Sequence, residues 1–331
     1  MKKIKYSPLT PEMQRSLSGI AGAENISSKD SDRENYSIDE AGAAVPHKPD
    51  VVIKPVNTEM VSGVMAFAFK HNIPVTPRGG GTGVSGGAIP LLGGILLSLE
   101  KMDRIIKIDP DNFTAVIEPG VIVDRLNEEL AKSNLYYPVH ISARTATIGG
   151  NAATNAGGMN AVKYGVTRQQ ILGIEAVLAD GTIINSGGEY VKCSTGYNLT
   201  QLILGSEGTL AVITKIIIKL LPLPQATEIL FVPFSDLQNA IDTVPVLLRM
   251  KNIPMGLEFF ERDTIEVAEK YMKYEVPGHG QEAFLMIIME GDSSEDIIQY
   301  FGQIEQICKD RGAVDFFAPG DALAKRKLIE F

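Results

Sequence analysis

A chain of 331 residues, 44% hydrophobic and 21% charged, is long enough for about two globular domains and too apolar for a disordered or fibrous one. A formal net charge of −9 argues against a surface built to neutralise phosphate backbones, so no nucleic-acid partner is expected. The two cysteines, Cys193 and Cys308, form no CxxC, and with no His/Cys cluster neither a disulfide framework nor a structural zinc site is encoded. The basic start lacks an apolar core and no later apolar run reaches the roughly 18 residues of a membrane span, so a soluble, cytoplasmic chain is expected.

In chain order, residues 10–23 read as a short helix, with Thr10 as cap, Pro11 in the first turn, and Met13, Leu17 and Ile20 at helical spacing. Residues 24–49 are polar and read as a surface loop. A strand at 51–56, a helix from an N-cap at Thr58 to His71 and a strand at 73–78 make a β-α-β unit. Short strands then dominate, at 94–99, 105–108 and 114–120, with an amphipathic helix at 123–133. Asp180-Gly181 between apolar runs signals a hairpin, and a long strand from Leu210 is closed by prolines near Pro224.

The expected division is a helical and loop segment at 1–45, a first domain at 46–224 and a second at 225–331. In the second, strands at 229–233, 256–261, 283–290 and 313–318 alternate with helices at 235–251, 264–274 and 293–311. Helices packed on one face of a sheet are expected. From Asp321 another helix opens, and no cap, glycine or proline stops it before Phe331.

Glycine is the excess to explain, and its densest run is Pro77-Arg-Gly-Gly-Gly-Thr-Gly-Val-Ser-Gly-Gly-Ala88, directly after a strand. Gly81-x-Gly83-x-x-Gly86 matches the dinucleotide GxGxxG, and Gly83-x-Ser85-x-Gly87 matches a hydrolase nucleophile elbow. Both need a helix at once, and Gly-Gly-Ala-Ile-Pro-Leu-Leu-Gly-Gly cannot supply one. A backbone nest, its N–H groups converging on an anion with no β carbon in the way, needs no helix. A ligand-free connector is the remaining reading. A second loop, Ala146-Thr-Ile-Gly-Gly-Asn-Ala-Ala-Thr-Asn-Ala-Gly-Gly-Met-Asn160, interleaves small residues with oriented Thr and Asn groups, and a third is Gly205-Ser-Glu-Gly-Thr-Leu210. Together the loops suggest a large diphosphate ligand.

These residues, with Lys163-Tyr-Gly-Val-Thr-Arg168 and Leu178-Ala-Asp-Gly181, make the chain resemble the FAD-linked 2-hydroxyacid oxidoreductases, the group of the glycolate oxidase FAD subunit and D-lactate dehydrogenase. The resemblance is close over 46–224 and weaker to the end. It implies an α+β fold: a two-subdomain FAD-binding domain of the vanillyl-alcohol-oxidase (PCMH) type, followed by an α/β cap domain that would be incomplete here. It implies oxidation of a small 2-hydroxy acid of glycolate or D-lactate type by hydride transfer to flavin N5. Electrons would pass to an acceptor protein or quinone. Pro77, Arg78, Gly79, Gly80, Gly81, Thr82, Gly83 and Gly87, with Thr147, Gly149, Gly150, Asn151, Asn155, Gly157 and Gly158, would wrap the pyrophosphate and ribityl chain. Glu207, Gly208 and Ile213 would lie near the adenine or the ring.

Relatives that bind FAD covalently use a histidine in the first loop or a cysteine near the second; this sequence has neither there, so non-covalent FAD is expected. Arg326 aligns with the arginine that grips the substrate carboxylate, and His140 replaces an acidic residue of the family's Pro-Pro-Asp-Pro stretch and could carry a proton. The family's GHxGDGN-type motif, which binds a metal or acts as base, has no counterpart in this sequence. A complementing C-terminal subunit, a flavin-binding protein without catalysis and a hydrolase using Ser85 are the alternatives.

Overall fold

A computed structural model describes residues 6–139, 143 and 145–329, without the side chains of Ala322 and Arg326. The chain divides into two compact units: 1–157 with 166–222, and 158–165 with 223–331.

The first unit contains two principal sheets. Strands β1 (Ile26–Ser27), β2 (Val51–Ile53), β3 (Val75–Arg78) and β4 (Ile95–Ser98) lie in the order β1-β2-β4-β3. β4 runs parallel to both β2 and β3, and β1 is antiparallel to β2. The apolar runs Val-Val-Ile of β2 and Ile-Leu-Leu of β4 are buried throughout, as strands of a sheet covered on both faces must be. The helix Thr58–His71 connects β2 to β3 and buries Val61, Val64, Met65 and Ala68, against a core that Leu17 and Ala21 of the helix Pro11–Ala21 also enter. Its cap is Asn57 rather than Thr58: extended at φ −157, Asn57 accepts the Met60 amide on Oδ1 at 2.9 Å.

The second sheet is antiparallel, in the order β5-β6-β10-β8-β9, from β5 (Ile105–Asp109), β6 (Thr114–Ile117), β8 (Ile171–Leu178), β9 (Ile183–Gly187) and β10 (Ala211–Lys219). β7 (Leu135–Tyr136) and β11 (Leu221–Pro222) pair separately. The β8–β9 hairpin turns at Asp180-Gly181, where Asp180 Oδ1 accepts the Thr182 amide at 2.9 Å and Gly181 takes φ +89. Strands β8 and β10 bury Val177 and Val212 in the core beneath the helix Thr58–His71, while Ile174, Ala176, Ile213 and Ile216 face the core that holds Leu126 and Leu130 of the helix Val123–Ala131.

Glu175 ties the two halves together. Its Oε1 accepts the Thr58 hydroxyl at 2.7 Å and the Thr214 hydroxyl at 3.1 Å, and Oε2 accepts Lys215 Nζ at 3.1 Å. Burial alone would raise its pKa, but these donors outweigh burial and hold the carboxyl below its ordinary value.

The second unit is built on β12 (Ala226–Phe234), β13 (Gly256–Glu261) and β14 (Ala283–Gly291), antiparallel in the order β12-β14-β13. Period-2 alternation splits its side chains between two cores. Leu230, Val232, Leu285 and Ile287 pack with Ala240, Leu247 and Ile304, while Ile229, Phe231, Phe284 and Met286 pack with Ile265 and Leu328. Helices therefore bury both faces, not one. The reason is visible in β14, whose residues 283–289 are all buried, a pattern a one-sided sheet does not show. Residues 313–318 form no strand but touch β12 by single bridges at Phe234–Ala313 and Phe231–Phe317, and 293–311 splits into helices Ser294–Ile298 and Phe301–Lys309. Among the described residues no helix is long and apolar enough to cross a membrane.

Because the folded pKa of Glu175 lies below its ordinary 4.5, its contribution to stability is complete above about pH 4.5 and is lost as pH falls through the lowered value. Glu175→Gln is expected to cost about 1.5–3 kcal/mol at pH 7 and to flatten this acid limb. Urea denaturation at pH 7 and pH 4 checks it; an unchanged acid limb in the variant would refute the assignment.

Candidate cofactor site

β3 runs straight into the first glycine loop. Among the described residues, the amides from Gly79 to Gly87 make no hydrogen bond within the protein, whereas pairing resumes at once with Ala88 N to Asp39 Oδ2 and Ile89 N to Gly86 O. A β carbon on Gly79 would stand 2.5 Å from Thr147 Oγ1, and one on Gly80 would stand 2.4 Å from the Thr145 carbonyl. Backbone thus packs on backbone here, and only glycine permits it.

The second loop contains a helix, Ile148–Thr154, whose cap Thr147 accepts the Gly150 amide at 3.2 Å. Its amides are engaged: Gly149 N donates to the Pro119 carbonyl at 2.8 Å and Ile148 N to the Val121 carbonyl at 2.9 Å. This segment is a wall rather than a second nest. Asn151 on it is 3% exposed, and its side-chain amide faces the buried Tyr137 hydroxyl. The third loop closes the far end of this helix, with Gly205 N on the Ala152 carbonyl at 3.0 Å and Glu207 N on the Ala153 carbonyl at 2.9 Å.

These three segments enclose a cavity of about 420 Å³. Pro77, Arg78, Gly79, Gly80, Gly81, Thr82, Gly83 and Gly87 line it, as do Thr147, Gly149, Gly150, Asn151, Gly157, Glu207, Gly208 and Ile213. Asn155 does not: it ends the helix at φ 51 and accepts the Arg168 amide on Oδ1 at 3.0 Å, a structural duty. Gly158 belongs to the second unit, as does the helix Ala322–Ile329 that carries Arg326. His140 and the Arg326 side chain lie outside what is described.

Sequence reasoning missed Asp39 and Pro119 in the cavity wall. Asp39 sits in what read as a plain polar loop, yet it is 8% exposed and no periodicity could have marked it. Arg78 donates Nη1 to the Ile38 carbonyl at 2.8 Å and stands over the Tyr36 ring at 5.5 Å. Burial pulls its pKa down, although a guanidinium remains charged.

No helix lies between Gly79 and Gly94, so neither GxGxxG nor the Ser85 elbow has the element its chemistry requires. The wall instead offers unpaired backbone donors, a buried amide and a cation, which suit a diphosphate ester with many acceptors.

Comparison with known proteins is decisive at this point. Residues 49–187 match the FAD binding domain family, and residues 223–331 match the C-terminal domain of FAD linked oxidases. The chain belongs to the FAD-linked oxidoreductases. It is 35% identical over 320 residues to a D-lactate dehydrogenase of Anaerostipes hadrus, covering 95% of this chain and 67% of that one. It is 38% identical over 307 residues to the glycolate oxidase subunit GlcD of Bacillus subtilis, covering 92% and 65%. The chain thus spans about two thirds of the length of these curated relatives. In fold it is similar to p-cresol methylhydroxylase, with a TM-score of 0.76 at 21% identity over 95% of this chain and 67% of that one. The fold is α+β of the vanillyl-alcohol-oxidase (PCMH) type, and the cofactor is FAD.

Two glycines of this FAD-linked oxidoreductase separate packing from binding. Gly80→Ala is expected to destabilise the apoprotein by about 1–3 kcal/mol, because the Thr145 carbonyl must move. Nothing lies within 4 Å of a β carbon on Gly83, so Gly83→Ala is expected within about 0.5 kcal/mol of wild type. Since Gly83 lines the cavity, FAD affinity is nevertheless expected to fall. Thermal melts of both apoproteins and a fluorescence titration with FAD check this, and a Gly83→Ala protein that binds FAD as wild type would exclude that face of the loop.

Proposed function

We propose that this chain oxidises a small 2-hydroxy acid of the glycolate or D-lactate type with FAD. The observation that carries the flavin part is the run of unpaired amides from Gly79 to Gly87 lining the cavity. Support for the substrate class comes from the relatives, which are named D-lactate dehydrogenase and glycolate oxidase subunit at 35% and 38% identity. When bound, FAD supplies a two-electron acceptor for the hydride.

The protein's own contributions are binding and orientation. The amides from Gly79 to Gly87 hold the diphosphate oxygens, with Arg78 adding positive potential at the entry to the loop. Asn151 contributes a buried amide to the cavity wall. The planar fork of Arg326 pairs with the substrate carboxylate in two parallel hydrogen bonds, which orients the α carbon, and His140 takes the hydroxyl proton. Reducing equivalents then leave to an acceptor protein or quinone. We read the attachment as non-covalent because the sequence has no histidine in the first loop and no cysteine near the second.

The test is anaerobic addition of D-lactate or glycolate to the FAD-loaded protein, followed by visible absorption. Bleaching of the oxidised-flavin bands by one acid is expected, and Arg326→Lys should raise the concentration needed by about tenfold or more while the limiting rate changes less. If the flavin binds and neither acid bleaches it, the substrate assignment fails while the cofactor assignment stands.

A further inference from the structure

The segment 36–50, polar in sequence, is a strap tied to both ends of the first glycine loop. At the entry, the Ile38 carbonyl accepts Arg78 Nη1 at 2.8 Å, and Tyr36 donates its hydroxyl to Glu100 Oε2 at 2.6 Å. At the exit, Asp39 Oδ2 accepts the Ala88 amide at 3.4 Å and Asp50 Oδ2 accepts the Gly94 amide at 3.0 Å. The strap is itself braced, with Ser37 2% exposed and its carbonyl accepting the His47 amide at 2.9 Å. Between these ties lie the amides from Gly79 to Gly87, which have no partner among the described residues.

Asp39 is the member of the strap that reaches the cavity wall. Its two oxygens work in opposite directions along the chain: Oδ1 accepts the strap's own Ala41 amide at 3.0 Å while Oδ2 takes Ala88 of the loop. An asparagine could not do both, because it has one acceptor oxygen and would aim an N–H at an N–H. A carboxylate beside a diphosphate site also carries an electrostatic cost, since like charges repel in a partly desolvated wall. The Arg78 guanidinium in the same wall, which feels the Asp39 charge, offsets part of that cost.

We propose that Asp39 is a positioning residue of the FAD site, joining the 36–50 strap to the end of the glycine loop and so setting the spacing of the loop's free amides. This rests on the assignment of that loop to FAD. The two possible roles of the carboxylate differ in sign. Passive placement in the wall means that neutralising it relieves repulsion and tightens FAD; positioning means that neutralising it lets the loop relax and weakens FAD.

The experiment titrates FAD into apo wild type, Asp39→Asn and Asp39→Ser by fluorescence quenching, with apo melting temperatures measured in parallel. Asp50→Ala is the control, because it removes the strap's one side-chain acceptor for the Gly94 amide, away from the cavity wall. Expected is a rise in FAD Kd of about tenfold for both Asp39 variants, equivalent to roughly 1.4 kcal/mol. Their apo melting temperatures should fall no further than that of Asp50→Ala, whose FAD affinity should change less. Visible circular dichroism of the bound flavin should also differ from wild type in the Asp39 variants alone. Unchanged or tighter FAD binding in Asp39→Asn overturns the proposal, as does a loss matched by Asp50→Ala. A wild-type protein that fails to bind FAD would instead refute the loop's assignment, which keeps the two failures apart.

Discussion

The close approach of the Gly79–Gly80 backbone to Thr145 and Thr147 is the constraint on which the site depends. Contacts of 2.4 and 2.5 Å to an imagined β carbon leave no room for any side chain, so the loop's shape follows from contact with its neighbour rather than from its own preferences. The neighbour is fixed in turn. Thr147 caps the helix Ile148–Thr154, Gly149 hangs from the Pro119 carbonyl just after β6, and the far end of that helix is closed by Gly205 and Glu207. One sheet of the first unit delivers the loop and the other delivers the surface it rests on.

Glycine content alone does not distinguish a ligand loop from a structural one; the fate of the amides does. In the second and third segments most N–H groups are consumed, several of them by Pro119, Val121, Ala152 and Ala153, with the amides of Gly157 and Gly208 among the exceptions, so these segments are mainly rigid walls. In the first segment the amides are left over. The loop is half-buried at Gly79, Gly81, Thr82 and Gly86 and exposed elsewhere, so its donors are left for water or a ligand. On the proposed reading, that leftover donor set rather than the GxGxxG lettering, which belongs to a helix that is not there, marks the binding loop.

Much of this was legible in the sequence where local chemistry decides it. The βα crossover, the Asp180-Gly181 hairpin and the glycine loop all announce themselves through apolar periodicity or turn residues. What was not legible depends on distant partners. Thr58 looked like a helix cap, but Asn57 is one residue earlier and the Thr58 hydroxyl is committed to Glu175, 117 positions away. The two-sided burial of the second unit's sheet was hidden because Met286 and Leu285 are equally apolar, so no alternation marked an outer face. Asp39 was hidden for the opposite reason: a carboxylate in a polar stretch reads as solvated until the strap is seen to fold back over the loop.

The electrostatics of the cavity follow from the same division of labour. The chain carries a net charge of −9, and Arg78 is accompanied in the cavity wall by the carboxylates of Asp39 and Glu207. Net charge therefore cannot be what draws a diphosphate there. Glu207 has its own structural tie, since its amide holds the Ala153 carbonyl and its Oε2 stands 2.5 Å from where a β carbon on Gly87 would be. Both acids thus bear on the glycine loop, one near its exit from the strap side and one from the third loop. On the proposed reading, recognition is left to short-range amide donors whose direction the surrounding contacts fix. Directional donors are effective only if they stay where they converge, and a loop made of glycine has little stiffness of its own. The packing against Thr145 and Thr147, the strap and the third loop supply the stiffness that the composition of the loop removes.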